Sequence, residues 1–348
     1  MRFLVLTALF GLSVSRACPA RNGCPSPLPG DLDMSAYQLY PENACFDTTR
    51  CVAYLSVCFN ASVAVYDPVK NEVTNTISFP GLSGDATLHS TGVRVDPLGH
   101  LPVVINAGAA FDTFGKDLSG NNFLVKYDLK TNQTIFTANL TAVSNGAYGG
   151  FQDVQHTKKG DSFVLGTYGR SSILRVSADG SEVIPWYVGP PLGASDGFSG
   201  LALRGHNLIV ANQADGQLNR FDTRRRQEGV PVRTPLGPGN ETIGQDLDAV
   251  YMPPRYNGRI LLVSRYNLGT VVLCSRDASW TFAEKLGTIP NPYREQGALS
   301  VATVQMGARL YSVNLFSNDA KVQGSNAGNR TDHPLQDISD EVEKFFTL

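Results

Sequence analysis

Charged residues are scarce in this chain. Asp, Glu, Lys and Arg make up 17% of its 348 residues, and the formal net charge at pH 7 is -2. The run Arg224-Arg225-Arg226 stands alone, without a wider stripe of Lys and Arg, and we interpret it as a solvated turn. Nucleic-acid binding requires a broad basic face. We therefore expect no nucleic-acid partner.

Histidines are few and scattered, and no Gly-x-Ser-x-Gly motif accompanies them, so the sequence gives no support to a serine nucleophile. We expect His89 to face a ligand and interpret His156 as structural. The cysteines form no paired Cys-x-x-Cys motif and have no His cluster nearby, which disfavours a metal site. We expect neither a resident metal nor a cofactor. Trp186 and Tyr187 have two open interpretations, a cover over a channel mouth or a plug between structural repeats.

Long apolar runs are absent after the N-terminus, and none approaches the ~20 residues that a membrane-spanning helix needs. At the N-terminus, Arg2 precedes an apolar segment, Phe3 to Val14, and Ser15-Arg16-Ala17 offers the small residues of a cleavage site. Residues 1–17 are therefore predicted to be a signal peptide. We expect a soluble protein that is secreted or resides in the lumen of the secretory pathway.

Two further features agree with export. Asn-x-Ser/Thr motifs predict glycosylation at five positions: Asn60, Asn132, Asn139, Asn240 and Asn329. Six cysteines remain after cleavage, and an even number in an oxidising compartment predicts disulfides. The candidates are Cys18, Cys24, Cys45, Cys51, Cys58 and Cys274. Most lie early in the chain, so we expect residues 18–40 to form a disulfide-tethered segment.

The chain contains many glycines, 34 in all, and they punctuate a sixfold repeat. In each repeat a short β-rich run ends in a polar or aromatic tip. The six tips are Ser56–Asn60, Val104–Gly108, Leu165–Gly169, Ile209–Gln213, Val263–Asn267 and Ser312–Phe316. Repeats near 50 residues with alternating strands are typical of four-stranded propeller blades. We predict an all-β fold, a single six-bladed β-propeller of gluconolactonase-like architecture over residues 41–348.

A β-sandwich is the competing fold, but it does not explain the repeat. Closure of a propeller requires the first and last blades to share strands, and either Met34 to Leu39 or Glu343-Lys344-Phe345-Phe346 is a candidate outer strand. The longest irregular stretch, Gly108 to Asn122, crosses the top of blade two. Long loops are often functional, although a glycine-rich surface excursion is an equal alternative.

The tips and the starts of the innermost strands should surround the central channel, where ligands of propellers bind. Aromatic and amide residues dominate these positions, which suits an apolar ligand that carries a few oxygens. The candidate ligand-binding residues are Phe59, His89, Asn106, Phe198, Ser199, Asn212 and Phe316. The candidate catalytic residues are Tyr168, Arg265, Tyr266, Asp153 and Asp248. The two Asp residues can serve as acid and base or bind a cation, or they are structural caps of blade turns.

A calcium-dependent sugar lactonase is one specific alternative. Pro41-Glu42 resembles the Glu position of gluconolactonase-type propellers, and Gly197-Phe198-Ser199-Gly200-Leu201-Ala202-Leu203 resembles their Asn-Gly-Leu-Ala-Leu segment. Ser199, however, stands where the family has an Asn ligand. Calcium is bound by about 6–8 oxygen ligands, so the absence of this Asn ligand weakens the predicted calcium site.

Three segments carry a resemblance to a known family. They are Arg175-Val176-Ser177-Ala178-Asp179-Gly180, Gly197-Phe198-Ser199-Gly200 and Ser317-Asn318-Asp319 followed by Arg330-Thr331-Asp332-His333-Pro334-Leu335. In this order they resemble a fungal family of secreted six-bladed propellers. That family includes the Malassezia propeller allergen, the propeller protein of trichothecene gene clusters and the hetero-Diels–Alderases of tropolonic sesquiterpenoid assembly. The last segment is the most telling.

The resemblance implies a fungal protein of secondary metabolism that binds a hydrophobic sesquiterpenoid or polyketide-type molecule. The resemblance does not choose among the activities of this family, and we favour cofactor-free cyclisation of the hetero-Diels–Alder type. A non-catalytic propeller that binds small molecules or lipids, or a virulence-associated one, is the alternative. A cycloaddition needs apolar partners held in near-attack geometry, together with hydrogen-bond donors near a carbonyl. We expect Tyr168, Arg265, Asn106 or Asn212 to donate, between walls that include Tyr266 and Phe316.

Overall fold

The structure, a computed structural model, consists almost entirely of β-strands. It describes residues 23–193, 196–239 and 242–346. The predicted signal peptide, Cys18 and the sequon at Asn240 lie outside the described residues. Within them, 24 strands form six sheets of four antiparallel strands each. No helix in these three ranges is long and apolar enough to cross a membrane.

Five of the six blades are built from strands that follow one another along the chain, numbered here from the channel outwards. The first strand of the chain, β1 (Leu32–Ser35), belongs to the sixth blade. Blade one comprises β2 (Pro41–Asp47), β3 (Val52–Val57), β4 (Ser62–Asp67) and β5 (Glu72–Ile77). Blade two comprises β6 (Leu88–Val93), β7 (His100–Ala107), β8 (Phe123–Asp128) and β9 (Gln133–Asn139). Blade three comprises β10 (Gly149–His156), β11 (Ser162–Tyr168), β12 (Arg170–Val176) and β13 (Val183–Pro191).

The second half of the chain repeats this plan. Blade four comprises β14 (Phe198–Arg204), β15 (Asn207–Asn212), β16 (Gln217–Asp222) and β17 (Val232–Thr234). Blade five comprises β18 (Leu247–Tyr251), β19 (Ile260–Arg265), β20 (Gly269–Cys274) and β21 (Glu284–Pro290). Blade six comprises β22 (Leu299–Met306), β23 (Arg309–Leu315), β24 (Asp332–Asp337) and the N-terminal β1. The predicted six-bladed β-propeller is confirmed.

The N-terminal strand closes the ring. In β1, Leu32 pairs with Leu335 and Ser35 with Asp332, so the outermost strand of the last blade comes from the start of the chain. Met34 lies in this strand, but the C-terminal alternative is wrong, because Ser339–Lys344 forms a helix. The predicted tether therefore contributes a strand to the propeller itself.

One disulfide, Cys24–Cys51, ties the N-terminal segment to the first hairpin of blade one. The prediction for Cys45, Cys58 and Cys274 is corrected, since these carry free thiols in the part of the chain that the structure describes. They lie in three separate hydrophobic clusters, so none of these three meets another.

The core consists of apolar layers between neighbouring blades. Trp186 of β13 is fully buried between blades three and four, where its ring packs against Phe163 and Phe221 at centroid distances of 4.7 and 5.6 Å. Of the two interpretations of Trp186, the plug between blades is therefore the correct one.

Every innermost strand is irregular near one end of the channel. Pairing with the second strand shifts register in β2, β6, β10, β14, β18 and β22. Such bulges bend the strand and re-aim its side chains. They lie at the end where the six predicted tips also gather, because each tip ends the second strand of its blade.

Candidate functional site

A pocket of about 390 Å³ opens at the tip end of the channel. Pockets that take drug-sized molecules range from roughly 300 to 1,000 Å³. Five of the six innermost strands contribute side chains to it, as do five of the six tips and the loops around them. The contributors from the innermost strands are Glu42, His89, Thr91, Gln152, Leu247, Asp248, Leu299 and Val301.

Aromatic rings form much of the pocket wall. Phe59, Tyr168 and Tyr266 come from the tips of blades one, three and five, and Phe111 and Phe114 come from a loop of blade two. Phe111 meets the buried Tyr168 edge to face, with ring centroids 5.4 Å apart. A wall of this kind offers an apolar ligand a large contact area.

The loop of residues 108–122 covers one side of the pocket. It begins with a short helix, α1 (Ala109–Asp112), and it packs closely against an inner-strand residue, His89, and a tip residue, Tyr168. A Cβ on Gly108 would lie 2.6 Å from the His89 ring, and a Cβ on Gly115 would lie 2.6 Å from the Tyr168 ring. The backbone can approach both rings only because these positions are glycine. Of the two interpretations of this loop, its place at the pocket favours the functional one.

Acidic groups lie at the inner end of the pocket. Glu42 is 8% exposed, and its Oε2 atom makes no hydrogen bond with the described residues. Burial, and then the charges of Asp248 and Asp153, raise the pKa of Glu42 well above its usual value. Burial also raises the pKa of Asp248. The carboxyl of Asp153 accepts backbone N–H groups from Val154 and Leu201 at 2.8 and 2.9 Å, and burial raises its pKa to about 6.

Two further polar atoms at the pocket lack partners within the described residues. His89 Nε2 is buried, and its ring stands edge to face with Phe59 at 5.2 Å. Burial lowers the pKa of His89, against the opposing charge of Asp112, and so favours a neutral ring. Gln213 donates to Asp196 at 2.6 Å, but its Oε1 atom is buried and unpaired. A buried polar atom without a partner is costly, and a ligand with oxygens or hydroxyls can remove that cost.

The C-terminal family motif, Ser317-Asn318-Asp319 with Arg330 to Leu335, stabilises one wall of the pocket. Arg330 binds both carboxylate oxygens of Asp319 at 2.7 and 3.0 Å and stacks 3.5 Å above the ring of Phe316. Tyr40 donates to the same carboxylate at 2.8 Å. This cluster fixes the segment that carries Ser317 and Asn318 into the pocket lining. The motif is therefore architectural, and it holds the pocket where the chain closes on itself.

Replacing Arg330 with alanine should loosen this wall. We expect a loss of about 1–2 kcal/mol of stability, since a half-exposed bidentate pair and a cation–π contact are both modest. Urea unfolding measures it, with exposed Arg233→Ala, whose pair with Asp215 is solvent-exposed, as the matched control. Equal unfolding curves for the two variants would contradict the architectural role.

The pocket contains five of the predicted site residues. Phe59, His89, Tyr168, Tyr266 and Asp248 all line it. They belong to four of the six blades, as the ring of tips predicts.

The other candidates lie elsewhere. Arg265 is paired with Asp246 on the outer side of its tip. Asp153 and Asn106 are buried and bind neighbouring strands; Asn106 donates to Thr91 Oγ1 at 3.1 Å and to the carbonyl of Phe151 at 2.9 Å.

The remaining four candidates are not part of the pocket lining either. Phe198 is buried in the aromatic layer between blades three and four, stacked on Tyr187. Phe316 is buried under Arg330. Ser199 is buried, and the half-buried Asn212 accepts a turn N–H from Ala214.

Several residues that line the pocket are not among the candidates predicted from the sequence. Glu42 and Gln152 lie at the starts of inner strands that were expected to face the channel, but neither was chosen as a site candidate, and Gln152 rather than Asp153 reaches the pocket. Phe111 and Asp112 lie in the long irregular stretch Gly108 to Asn122, and its length was the signal that pointed to this loop. Gln213 ends the predicted tip of blade four.

The channel does not fit the calcium site of a lactonase. No group of three or more His, Cys, Asp or Glu side chains that could hold a metal ion occurs in residues 23–193, 196–239 and 242–346. Ser199, at the position of the Asn ligand, is buried, and its Oγ has no hydrogen-bond partner among the residues that the structure describes. Both oxygens of Asp153 are taken by backbone N–H groups. The residues present thus do not make the oxygen-rich cage that calcium needs.

Four of the predicted glycosylation sites lie within the described residues, and their side chains are exposed: Asn60, Asn132, Asn139 and Asn329. Glycosylation itself stays a prediction.

Fold and site together define a six-bladed β-propeller with a ligand pocket at one end of its channel. The sequence model of the family described as Mal s 1 allergenic protein-like matches residues 21–247. Trichothecene biosynthesis protein 14 of Trichoderma arundinaceum is 39% identical over 339 residues, which cover 92% of this chain and 91% of that protein. The chain belongs to the Mal s 1-like family of propellers, as its motifs indicated.

Solved structures agree on the architecture. The allergen Mala s 1 of Malassezia sympodialis matches with a TM-score of 0.76 at 21% identity, covering 89% of this chain and 96% of that one. A gluconolactonase of Xanthomonas campestris matches with a TM-score of 0.53 at 15% identity, covering 88% and 89%. At these identities the likeness concerns the fold alone.

Proposed function

We propose that this chain is a secreted fungal protein of secondary metabolism that binds a neutral, hydrophobic, oxygen-bearing metabolite of the terpenoid or polyketide type and promotes its cyclisation without a cofactor. The relative named as a trichothecene biosynthesis protein supports the metabolic setting. One observation carries the ligand class: an aromatic-walled pocket of about 390 Å³ holds three buried polar atoms that have no partner among the described residues.

The charge of the pocket favours a neutral ligand. Among the described residues that line it, none is Lys or Arg, whereas Glu42, Asp112, Asp196 and Asp248 bring carboxyl groups. A carboxylate or phosphate ligand would have to give up its hydration without gaining a cation. A hydroxyl, ketone or ether oxygen has no such penalty. A ligand hydroxyl can donate to Gln213 Oε1, and any of these oxygens can accept from His89 Nε2 in the tautomer that carries the proton there.

Cyclisation suits this pocket because it requires positioning rather than a nucleophile. In a hetero-Diels–Alder step, a conjugated carbonyl and an alkene form one C–C and one C–O bond while their π electrons shift, and no atom leaves. Holding both partners in near-attack geometry contributes about 7–11 kcal/mol at most to such a reaction. Phe59, Tyr168 and Tyr266 line the space where the partners would lie.

Charge selectivity provides the first test. We expect purified protein to bind farnesol at least tenfold more tightly than farnesoic acid at pH 7, since the two share one carbon skeleton and differ in charge. Fluorescence titration or calorimetry measures both. Equal affinities, or a preference for the acid, would contradict a neutral-ligand pocket.

Tyr266→Ala should weaken farnesol binding by roughly tenfold, because a half-buried ring contributes about 1.5 kcal/mol or more of apolar contact. Asn267→Ala is the matched control, since this exposed neighbour lies outside the pocket. An unchanged affinity in Tyr266→Ala would show that the ligand binds elsewhere.

Catalysis is tested separately from binding. Purified protein is incubated with the metabolite extract of a strain that lacks the gene, and mass spectrometry follows the accumulated precursors. We expect precursor loss and a new cyclic adduct whose mass equals the sum of its precursors. Binding of the precursors without any product would instead support the non-catalytic carrier.

A further inference from the structure

Glu42 is the most unusual polar side chain of the channel. It projects from the start of β2 into the pocket, is 8% exposed, and leaves Oε2 without a hydrogen bond to the described residues. No ion pair joins it to a Lys, Arg or His within those residues, and the pocket lining there contains no Lys or Arg. A buried carboxylate without a partner is unstable, so the group must be neutral or must acquire a partner.

The neighbouring acids decide which carboxyl carries a proton. Asp153 accepts two backbone N–H groups, which favour its ionised form. Glu42 has no comparable donors, and burial together with the charges of Asp248 and Asp153 raises its pKa. The proton therefore resides more favourably on Glu42 than on Asp153.

We propose that Glu42 is a neutral carboxylic acid whose O–H donates a hydrogen bond from Oε2 to a carbonyl oxygen of the bound metabolite. This rests on the proposed function and narrows the ligand class to neutral molecules with an acceptor oxygen, such as an enone or a quinone methide. The proton stays on Glu42 throughout. A donor fixed at the carbonyl stabilises the negative charge that develops on oxygen as the C–O bond forms.

The same geometry gives a pH dependence with a defined sign. The donor exists below the pKa of Glu42 in the folded protein and disappears as the pH rises through it. β14 and β22 contribute no titratable or charged group to this part of the channel. The groups that do surround Glu42 come from β6, β10, β18 and the loops at the channel mouth: His89, Arg94, Asp153, Asp248, Cys58, Asp112, Tyr168, Asp196, Tyr266 and Lys321.

Two probes and two variants test the donor. The probes are farnesal, which has a carbonyl oxygen, and farnesene, a hydrocarbon of similar shape. In wild type we expect the preference for farnesal to fall as the pH rises. Glu42→Gln keeps a donor that does not titrate, so it should retain the preference at every pH. Glu42→Ala should lose at least tenfold in farnesal affinity at low pH and leave farnesene unchanged.

Each outcome has a distinct meaning. If neither probe binds wild type, the proposed function fails. If both bind and Glu42→Gln follows the wild-type pH profile, only the donor assignment fails. Calorimetry with calcium chloride adds a further arm, since calcium binding that Glu42→Gln abolishes would make Glu42 a metal ligand and overturn the proposal. Thermal unfolding verifies that each variant is folded, and the near-isosteric Gln variant decides the question if the Ala variant is not.

Discussion

Replacing Trp186 with alanine is expected to destabilise the protein by about 3–5 kcal/mol, the range for removing a fully buried large aromatic side chain. The Trp186 ring fills the layer between blades three and four, against Phe163 and Phe221. Its Nε1 donates to the carbonyl of Arg225 at 2.6 Å, so the ring also fastens an outer loop to the blade. Alanine leaves both a cavity and an unpaired carbonyl.

Urea unfolding at pH 7 measures this loss, and farnesol titration shows whether the pocket survives. Trp186→Phe should lose less, because it keeps most of the ring contact and lacks only the hydrogen bond. Phe282→Ala, at a side chain that is 44% exposed, is the control and should change stability little. If Trp186→Ala weakened ligand binding while stability stayed constant, the residue would have to be a cover of the channel mouth.

The sequence could predict where the pocket is but not which side chains face it. The tips were located correctly because glycine or polar residues end a strand at the same point of every repeat. Side chains along a strand point alternately to its two surfaces, so predicting which ones face the pocket requires the exact position at which this alternation starts. A shift of one residue turns a side chain to the other surface. Each innermost strand contains such a shift, for example between Phe151 and Asp153 or between Ser90 and Val93. Gln152 therefore faces the pocket, whereas Asp153 binds the next blade.

Glycines within the innermost strands were the available signal for these shifts. A Cβ on Gly92 would lie 2.7 Å from the Cα of Asp153, and a Cβ on Gly200 would lie 2.5 Å from the backbone nitrogen of Val250. Glycine inside a strand often marks a bulge or a close backbone approach. The unpaired state of Glu42 had no such signal, because it depends on side chains from three blades that are distant in sequence.

The second large effect is expected from Asp96→Ala, at the end of the propeller away from the pocket. Asp96 lies 3.0 Å from the ammonium group of Lys126, and both side chains are buried, at 0% and 1% exposure. Lys126 also donates to the carbonyls of Gly160 and Ala178 in blade three, so the pair joins two blades. Removing one partner of a buried ion pair costs about 3–5 kcal/mol, because the other charge is left uncompensated.

The pH dependence of this loss has a definite sign. Burial by itself would raise the pKa of Asp96, but hydrogen bonds from the backbone N–H of His100 and from Lys126, together with the charge of Lys126, outweigh it and lower the pKa below 3.8. The stabilisation is therefore fully present above pH 3.8 and is lost as the pH falls through the lowered folded-state pKa. The difference between wild type and Asp96→Ala should be constant from neutral pH to about pH 5 and should shrink in stronger acid.

Two comparisons separate the ion pair from mere loss of packing. Asp215→Ala removes a partner from an exposed pair with Arg233 and should cost less than about 1 kcal/mol. The double variant Asp96→Ala/Lys126→Met removes both buried charges and should recover a large part of the single-variant loss, since an apolar replacement of a buried pair is often nearly neutral. If the double variant were no more stable than Asp96→Ala, the cost would come from the turn that Asp96 caps through Leu98 and His100. Farnesol affinity should be unchanged in all of these variants, because the blade junction that carries this pair lies at the opposite end of the channel from the aromatic wall.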